Sequence, residues 1–419
     1  MLTPVTKFTL MLVVFVDLIG QGLVFPIING LIMEPTAGFL PEATSMNDRH
    51  FDYGLVIGMF FLAWFLGVVY IAKLSDAIGR KKALLICLGG ALVGYALSIA
   101  ALTMNSLWLL ILGRAVTGFT AGNQPIAQAA MVDGSRNPAE RDRNMGLILT
   151  GVSIGLVGGP IIGGILTDKN LIGPIASYSL PLYAALGLVA LTMVLVIFFF
   201  HDMRTERRPF VFRPLDVIDS LWQVRNHPIV LRLMPVYIFF MIANVTFYVF
   251  VDNYLASAFG FGVMGGSAVM MVIGLAIAIS GTLLIGPVQA HVAKRLIVLA
   301  CLLIMVGCSL AFVSLQVAIA TFVPVFFFYL FFGVAYPTII GVFSGAVGAD
   351  DQGWVMGVTI AVFCLAGGVM SLAGGGLMDV NIRLPFFIAA ASATLAILLY
   401  LVSWRSPDIR QLTGRPGAS

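Results

Sequence analysis

The chain has 419 residues, of which 60% are hydrophobic and only 10% charged, with a formal net charge of +4. Soluble domains carry about 25% charged residues, so this composition excludes a water-soluble globular protein and points to an all-α membrane protein. So small a positive balance requires no nucleic-acid partner.

Twelve apolar runs approach or exceed the roughly 20 residues that cross about 30 Å of hydrocarbon, at about 8–30, 53–72, 83–102, 107–130, 145–167, 180–200, 230–252, 266–287, 296–316, 320–346, 354–378 and 384–404. The first is too long for a signal peptide and lacks a small-residue cleavage site, so it is expected to stay as a helix. The four cysteines, Cys87, Cys301, Cys308 and Cys364, all lie within these runs and read as packing residues. Of the 23 Lys and Arg residues, Arg49, Lys169 and Arg383 fall in one set of loops and Arg114 within a run. All the others fall in the alternate loops and the tails, which by the positive-inside rule places both termini in the cytoplasm of a multi-pass cell (inner) membrane protein.

The first run reads F-V-D-L-I-G-Q-G-L-V-F-P and carries Asp17 about nine residues, or roughly 13 Å, from its start. An acid at that depth is costly and faces a cavity or a partner, which makes Asp17 a functional candidate, with Gln21 one turn on. Residues 31–52 form the longest outside loop, an irregular polar cap with no assigned chemistry. After the second run comes A-K-L-S-D-A-I-G-R-K-K, in which Asp76, Gly79, Arg80 and Lys81 combine an acceptor, a tight turn and basic groups. The fourth run contains L-G-R-A-V-T-G-F-T-A-G-N-Q-P, with Arg114 at a depth that can reach Asp17. Thr117, Gly118, Ala121 and Gln128 share a face with it, and Gln124 and Gln128 are candidate cavity residues.

The fifth run holds Gly151, Gly155, Gly159 and Gly163 four apart, a helix face without side chains that lets a second backbone approach closely, and Pro160 adds a kink. Gly151-Val152-Ser153-Ile154-Gly155 matches the nucleophile-elbow pattern, but the strand-turn-helix context that pattern needs is missing. Gly146, Gly155, Gly159, Pro160, Gly163 and Gly164 together resemble the antiporter motif of the major facilitator superfamily. The first run is similar to helix 1 of its tetracycline-exporter-like branch, and Arg114-x-x-x-Gly118 to its helix 4 motif, whose arginine is linked there to proton coupling. The 72–82 segment resembles the superfamily's loop signature, with Ala72 in place of a glycine and Ala77 in place of a basic residue.

The resemblance implies the major facilitator fold, twelve transmembrane helices in two pseudo-symmetric six-helix bundles. The expected divisions are 1–200, a cytoplasmic linker at 201–229 with a short interfacial helix from Pro214 to Val224, a second bundle at 230–404 and a tail at 405–419. Met145-Gly146 and Gly163-Gly164 return as Met356-Gly357 and Gly374-Gly375, a faint echo of duplicated halves. In the second half Asn244, Tyr248 and Asp252 lie a turn apart, as do Tyr329, Phe332 and Tyr336. Asn244, Tyr248 and the Tyr329 set are expected to line the substrate cavity, and Asp252 to sit solvated near the outer boundary.

The function implied is a monomeric secondary transporter that exchanges protons for a small amphipathic drug or metabolite, with Asp17 and Arg114 coupling the two. Asp76, Gly79, Arg80 and Lys81 would act as a gating latch between the halves. Uptake by symport, export of an endogenous compound such as a siderophore, and a non-transporting receptor are the alternatives. No cofactor or metal is implied, and the dispersed His50, His201, His227 and His291 argue against an enzyme.

Overall fold

A computed structural model describes residues 3–202, 213, 216–348 and 351–414, apart from the side chains of Gln21, Pro138, Ala139 and Asp142. The Arg204, Arg207 and Arg208 cluster of the expected linker and the end of the tail lie outside the described residues. Hydrocarbon supplies no water to the backbone, so apolar runs of this length bond internally as helices. The described residues form no strand. The first set comprises α1 (Pro4–Met33), α2 (Met46–Ile78), α3 (Arg80–Met104), α4 (Leu107–Phe119), α5 (Asn123–Asp133), α6 (Pro138–Thr167) and α7 (Leu180–Phe199). A short α8 (Asp216–Trp222) precedes the second set: α9 (Pro228–Phe259), α10 (Val263–His291), α11 (Lys294–Ser314), α12 (Phe322–Gly345), α13 (Gln352–Val380), α14 (Leu384–Ser403) and a terminal α15 (Pro407–Thr413).

Eleven helices among the described residues are long and apolar enough to cross a membrane. The fourth of the twelve expected runs, 107–130, is not one helix: it stops after Phe119 and restarts at Asn123. The physical reason is Pro125, which has no N–H for the carbonyl of residue 121 and whose ring collides with it.

The glycine face of α6 packs on α1 as its spacing predicts. A Cβ on Gly151 would stand 2.7 Å from the Met11 carbonyl oxygen, on Gly155 2.8 Å from that of Phe15, and on Gly159 2.7 Å from that of Ile19. Gly146 fits the sequence pattern but not the contact, for a Cβ there would meet open space. Pro160 lies inside α6 and leaves the Leu156 carbonyl without its helical donor. The proline ring lies against Gly22, and Gly274 of α10 closes over that carbonyl, where a Cβ would come within 2.7 Å of the oxygen. Lys7 ties the start of α1 to the start of α6 through Glu140 at 2.8 Å, and the ammonium holds the Glu140 carboxyl below the usual carboxylate range.

The two sets meet along α2 with α13 and α6 with α10. At the end that carries residues 34–45 the seam is tight: a Cβ on Gly375 would fall 2.8 Å from the His50 carbonyl oxygen, one on Gly54 would overlap that of Ser371, and Gly164 abuts Ser267. The Tyr53 hydroxyl donates to the Val249 carbonyl at 2.9 Å, and Trp64 meets Phe363 edge-on at 5.7 Å. Toward the opposite end, Gly146, Gly286, Gly353 and Gly357 face open space, so the seam loosens there. There α8 bridges the sets: Asp216 pairs with Lys73 at 2.7 Å, which holds its carboxyl below the usual range, and Trp354 donates to the Ser220 carbonyl at 3.0 Å. Ile218 and Trp222 of α8 are exposed, the apolar face expected of an interfacial helix. The 34–45 loop is pinned by the buried Arg49, which donates to the carbonyls of Ile32 (2.6 Å), Pro41 (3.0 Å) and Thr44 (3.3 Å).

Replacing Gly159 by Leu should force α6 off α1 and destabilise the purified protein by about 1–3 kcal/mol, the usual range for overpacking. Thermal unfolding in detergent checks this, with Gly146→Leu, on an open face, as the control expected to unfold like the wild type.

Candidate functional site

The break between α4 and α5 makes the site. Thr120 donates its hydroxyl to the Val116 carbonyl at 2.9 Å and Gly122 its N–H to the Thr120 carbonyl at 2.8 Å, which turns the chain before it re-enters a helix. The first amides of α5 have no helical acceptor, and a helix N-terminus carries roughly half a positive charge. They face α1: the Asn123 side-chain amide donates to Asp17 Oδ1 at 3.3 Å, and the backbone N–H of Gln124 donates to the same carboxyl. An intramembrane acid thus sits at a half-helix N-terminus, the arrangement by which discontinuous helices hold charge at mid-membrane.

Arg114 lies two turns earlier, 3% exposed, with its guanidinium carbon 4.2 Å above the Phe60 ring. Its Nε and Nη2 are buried without a hydrogen-bond partner. Arg114 and Asp17 line one internal cavity with Phe60, Tyr95, Thr117 and Asn123, with about 20 Å³ of room for water centres. That space suits about one water. Among the described ion pairs none joins Asp17 to Arg114, so a buried cation short of partners and a carboxyl held by dipoles share a cavity without neutralising each other.

The other expected residues distribute as follows. Gln124 serves Asp17 through its backbone, Gln128 lies half-buried farther along α5, and the Gln21 side chain is outside the described residues. Asn244, Tyr248, Tyr329, Phe332 and Tyr336 do come together, but as an aromatic wall apart from the Asp17 cavity. Tyr248 and Tyr329 stand 6.3 Å apart, Tyr329 and Phe332 6.1 Å, and Phe332 and Tyr336 stack at 5.7 Å. Phe25 of α1 closes this wall from the other set at 5.1 Å from Tyr248. Tyr329 and Asn244 are buried.

In the 73–82 segment Gly79 takes φ +96, a conformation that favours glycine, between the end of α2 and the start of α3. Arg80 reaches Asp76 at 2.9 Å and Asp133 at 3.2 Å, its N–H donates to Asp202, and Lys81 donates to the Ile197 carbonyl at 2.6 Å. The named partners lie on α2, α5, α7 and just after α7, so these contacts brace the first bundle. Asp252, expected to be solvated, is 1% exposed instead, because α1, α2 and α10 close over it in the seam. Sequence reading missed Asn123 and Phe60, although G-N-Q-P held the signal of a helix restart.

A family model, that of the Major Facilitator Superfamily, matches residues 10–371. The chain belongs to this superfamily. The class C tetracycline resistance protein of Escherichia coli is 29% identical over 362 residues, 84% of each chain. The quinolone resistance protein NorA of Staphylococcus aureus is 22% identical over 406 residues, 94% of this chain and 95% of that one. The solved structure of the human organic anion transporter MFSD10 (TETRAN) has the same fold, with a TM-score of 0.72 at 19% identity over 95% of this chain and 100% of the other. The superfamily consists of transporters, and the helices and seams described above are its fold.

Within this facilitator the Phe60 ring should hold the Arg114 cation by about 2 kcal/mol, as for a desolvated cation–π pair. A double-mutant cycle of Phe60→Leu and Arg114→Met, read by thermal unfolding, should return a coupling of that size; independent, additive effects would show that the ring does not hold the guanidinium.

Proposed function

We propose that the protein is a proton-coupled antiporter that exports a small amphipathic molecule by alternating access. The observation that carries the reading is Asp17, held at the N-terminus of α5 in one cavity with the partner-short Arg114. Similarity to tetracycline and quinolone resistance proteins supports export as the direction. Two arrangements then alternate. With its proton, Asp17 leaves Arg114 unpaired; without it, the carboxylate and the guanidinium draw together across the cavity, or a cationic substrate takes the carboxylate's charge. Whichever ligand binds displaces the other, which is antiport. The aromatic wall from Tyr248 to Tyr336 supplies the apolar surface for the substrate, once it parts from Phe25.

Lys73, Arg80, Lys81, Lys82 and Arg136 gather at the loosened end of the seam, which supports a cytoplasmic placement for that end and for both termini in the inner membrane. The conformation is then inward-facing, closed toward the outside by α2 with α13 and α6 with α10. The protein works as a monomer, since the pathway lies between its own two bundles.

Asp17→Asn should insert and fold normally yet lose pH-gradient-driven efflux in inverted vesicles, while Arg114→Lys should retain only a small part of it, because a point charge does not replace the planar fork. Full gradient-driven efflux by Asp17→Asn would remove this carboxyl as the coupling group, and accumulation in the opposite sense would make the protein a symporter. For the orientation, Ser45→Cys should react in intact cells with a membrane-impermeant thiol reagent and Gln411→Cys should not; the reverse pattern inverts the topology.

A further inference from the structure

A second carboxyl, outside the Asp17 cavity, lies in the seam that must part during alternating access. Asp252 of α9 is 1% exposed and its Oδ2 has no hydrogen-bond partner. Facing it from α1 is the side-chain amide of Asn29, 4% exposed, whose Oδ1 is likewise without a partner. From α10 comes Gly266, where any Cβ would overlap the carboxyl, followed by Ser267, whose buried hydroxyl is also unpartnered. The titratable group facing it from α2 is Tyr53, whose hydroxyl already donates to Val249. Tyr248 lies one turn back on α9 itself. Farther out in the same seam His50 of α2 pairs with Asp379 of α13 at 3.0 Å. Among the described ion pairs none includes Asp252.

The two orphaned atoms are the argument. Ionised, Asp252 offers only acceptors, and Asn29 Oδ1 is an acceptor too, so neither satisfies the other in the closed seam. One proton on Oδ2 would let it donate to Asn29 Oδ1 while the Asn29 amide N–H serves the other carboxyl oxygen, an acid–amide pair closed at both ends. A buried anion without a counter-charge is strongly disfavoured, whereas a paired neutral acid is not.

We propose that Asp252 with Asn29 is a proton-binding site that closes this end of the transporter: the carboxylate takes a proton from water on that side as the seam shuts and returns it to the same side when the seam opens. Such a site gates without adding to the charge carried across, which distinguishes it from Asp17. It rests on the alternating-access reading but not on the assignment of Asp17 or on the direction of transport.

The test uses the full chain in lipid nanodiscs, cysteine-free except for spin labels at the exposed positions Met46→Cys and Val380→Cys, on α2 and α13 at the rim of the seam. In the wild type the short-distance population should fall as pH is raised, because deprotonation breaks the acid–amide pair. Asp252→Asn, whose amide donates at every pH, should stay in the short-distance state throughout, and Asn29→Leu should open at lower pH than the wild type. In Asp17→Asn the short-distance population should still fall as pH is raised, with a shifted midpoint because Asp17 titrates in the same conformational cycle. A wild-type seam that ignores pH, an unchanged response in Asp252→Asn, or a response abolished only in His50→Gln would overturn the proposal, the last by assigning the titration to the His50–Asp379 pair. Gradient-driven efflux by Asp17→Asn tests the coupling assignment separately, so either can fail alone.

Discussion

Hydrocarbon offers a polar group no solvent, so each intramembrane charge or freed backbone amide has to be answered by another part of the chain. The carboxyl of Asp17 is answered by a helix that begins in mid-membrane, and beginning a helix there requires ending one. Pro125 enforces the interruption, and the Thr117 and Thr120 hydroxyls bond back to the Gly113 and Val116 carbonyls, so that the broken turn is not left bare. Arg114 has received less: an aromatic face and a cavity with room for about one water. In the proposed mechanism, the imbalance between a well-held acid and a poorly held base is what would give the pair two arrangements to choose between.

The same constraint shapes the seam between the bundles. Pro160 frees the Leu156 carbonyl, and the groups that cover it, Gly22 and Gly274, come from different bundles. Lipid tails give helices no hydrophobic reason to associate, so the closed seam is held by backbone proximity that only small residues permit. Glycine rows at Gly54 and Gly375 and at Gly164 provide it at one end, and the glycines at the other end meet open space. An interface built from close van der Waals fit, with few polar ties, can separate as a rigid unit. Its ties include Tyr53 to Val249, His50 to Asp379, Asn253 to Met33 and Asp252 against Asn29, and these are the places where chemistry can act on its opening.

Helix positions were largely legible because hydropathy over about 20 residues is a local property. The Gly151 to Gly163 row was legible for a similar reason, since a period of four fixes a face whatever packs on it. Gly146 shows where that reasoning stops: it belongs to the motif yet has no neighbour, because contact depends on how α6 is inclined to α1. The cavity residues show the same limit. Asn244 and Tyr329 have the composition of a binding wall, but whether they face a chamber or a packed seam depends on the conformation of both bundles. Asp252 was expected to be solvated because its exposure was judged along one helix, whereas its burial came from three others.

What the sequence determined by itself is the membrane class, eleven of the twelve expected runs as helices long enough to cross, the bias of basic residues to one side, and the identity of the two charges that cannot be indifferent to their surroundings, Asp17 and Arg114. Each follows from short stretches read against the hydrocarbon. Only the tertiary structure decided that the fourth crossing is broken, that its second piece presents its N-terminus to Asp17, that Arg114 leans on Phe60 without reaching the acid, and that Asp252 and Asn29 confront each other across the seam. The reason is distance along the chain: these pairings join residues far apart in sequence, and nothing in either residue's local pattern carries the position of the other.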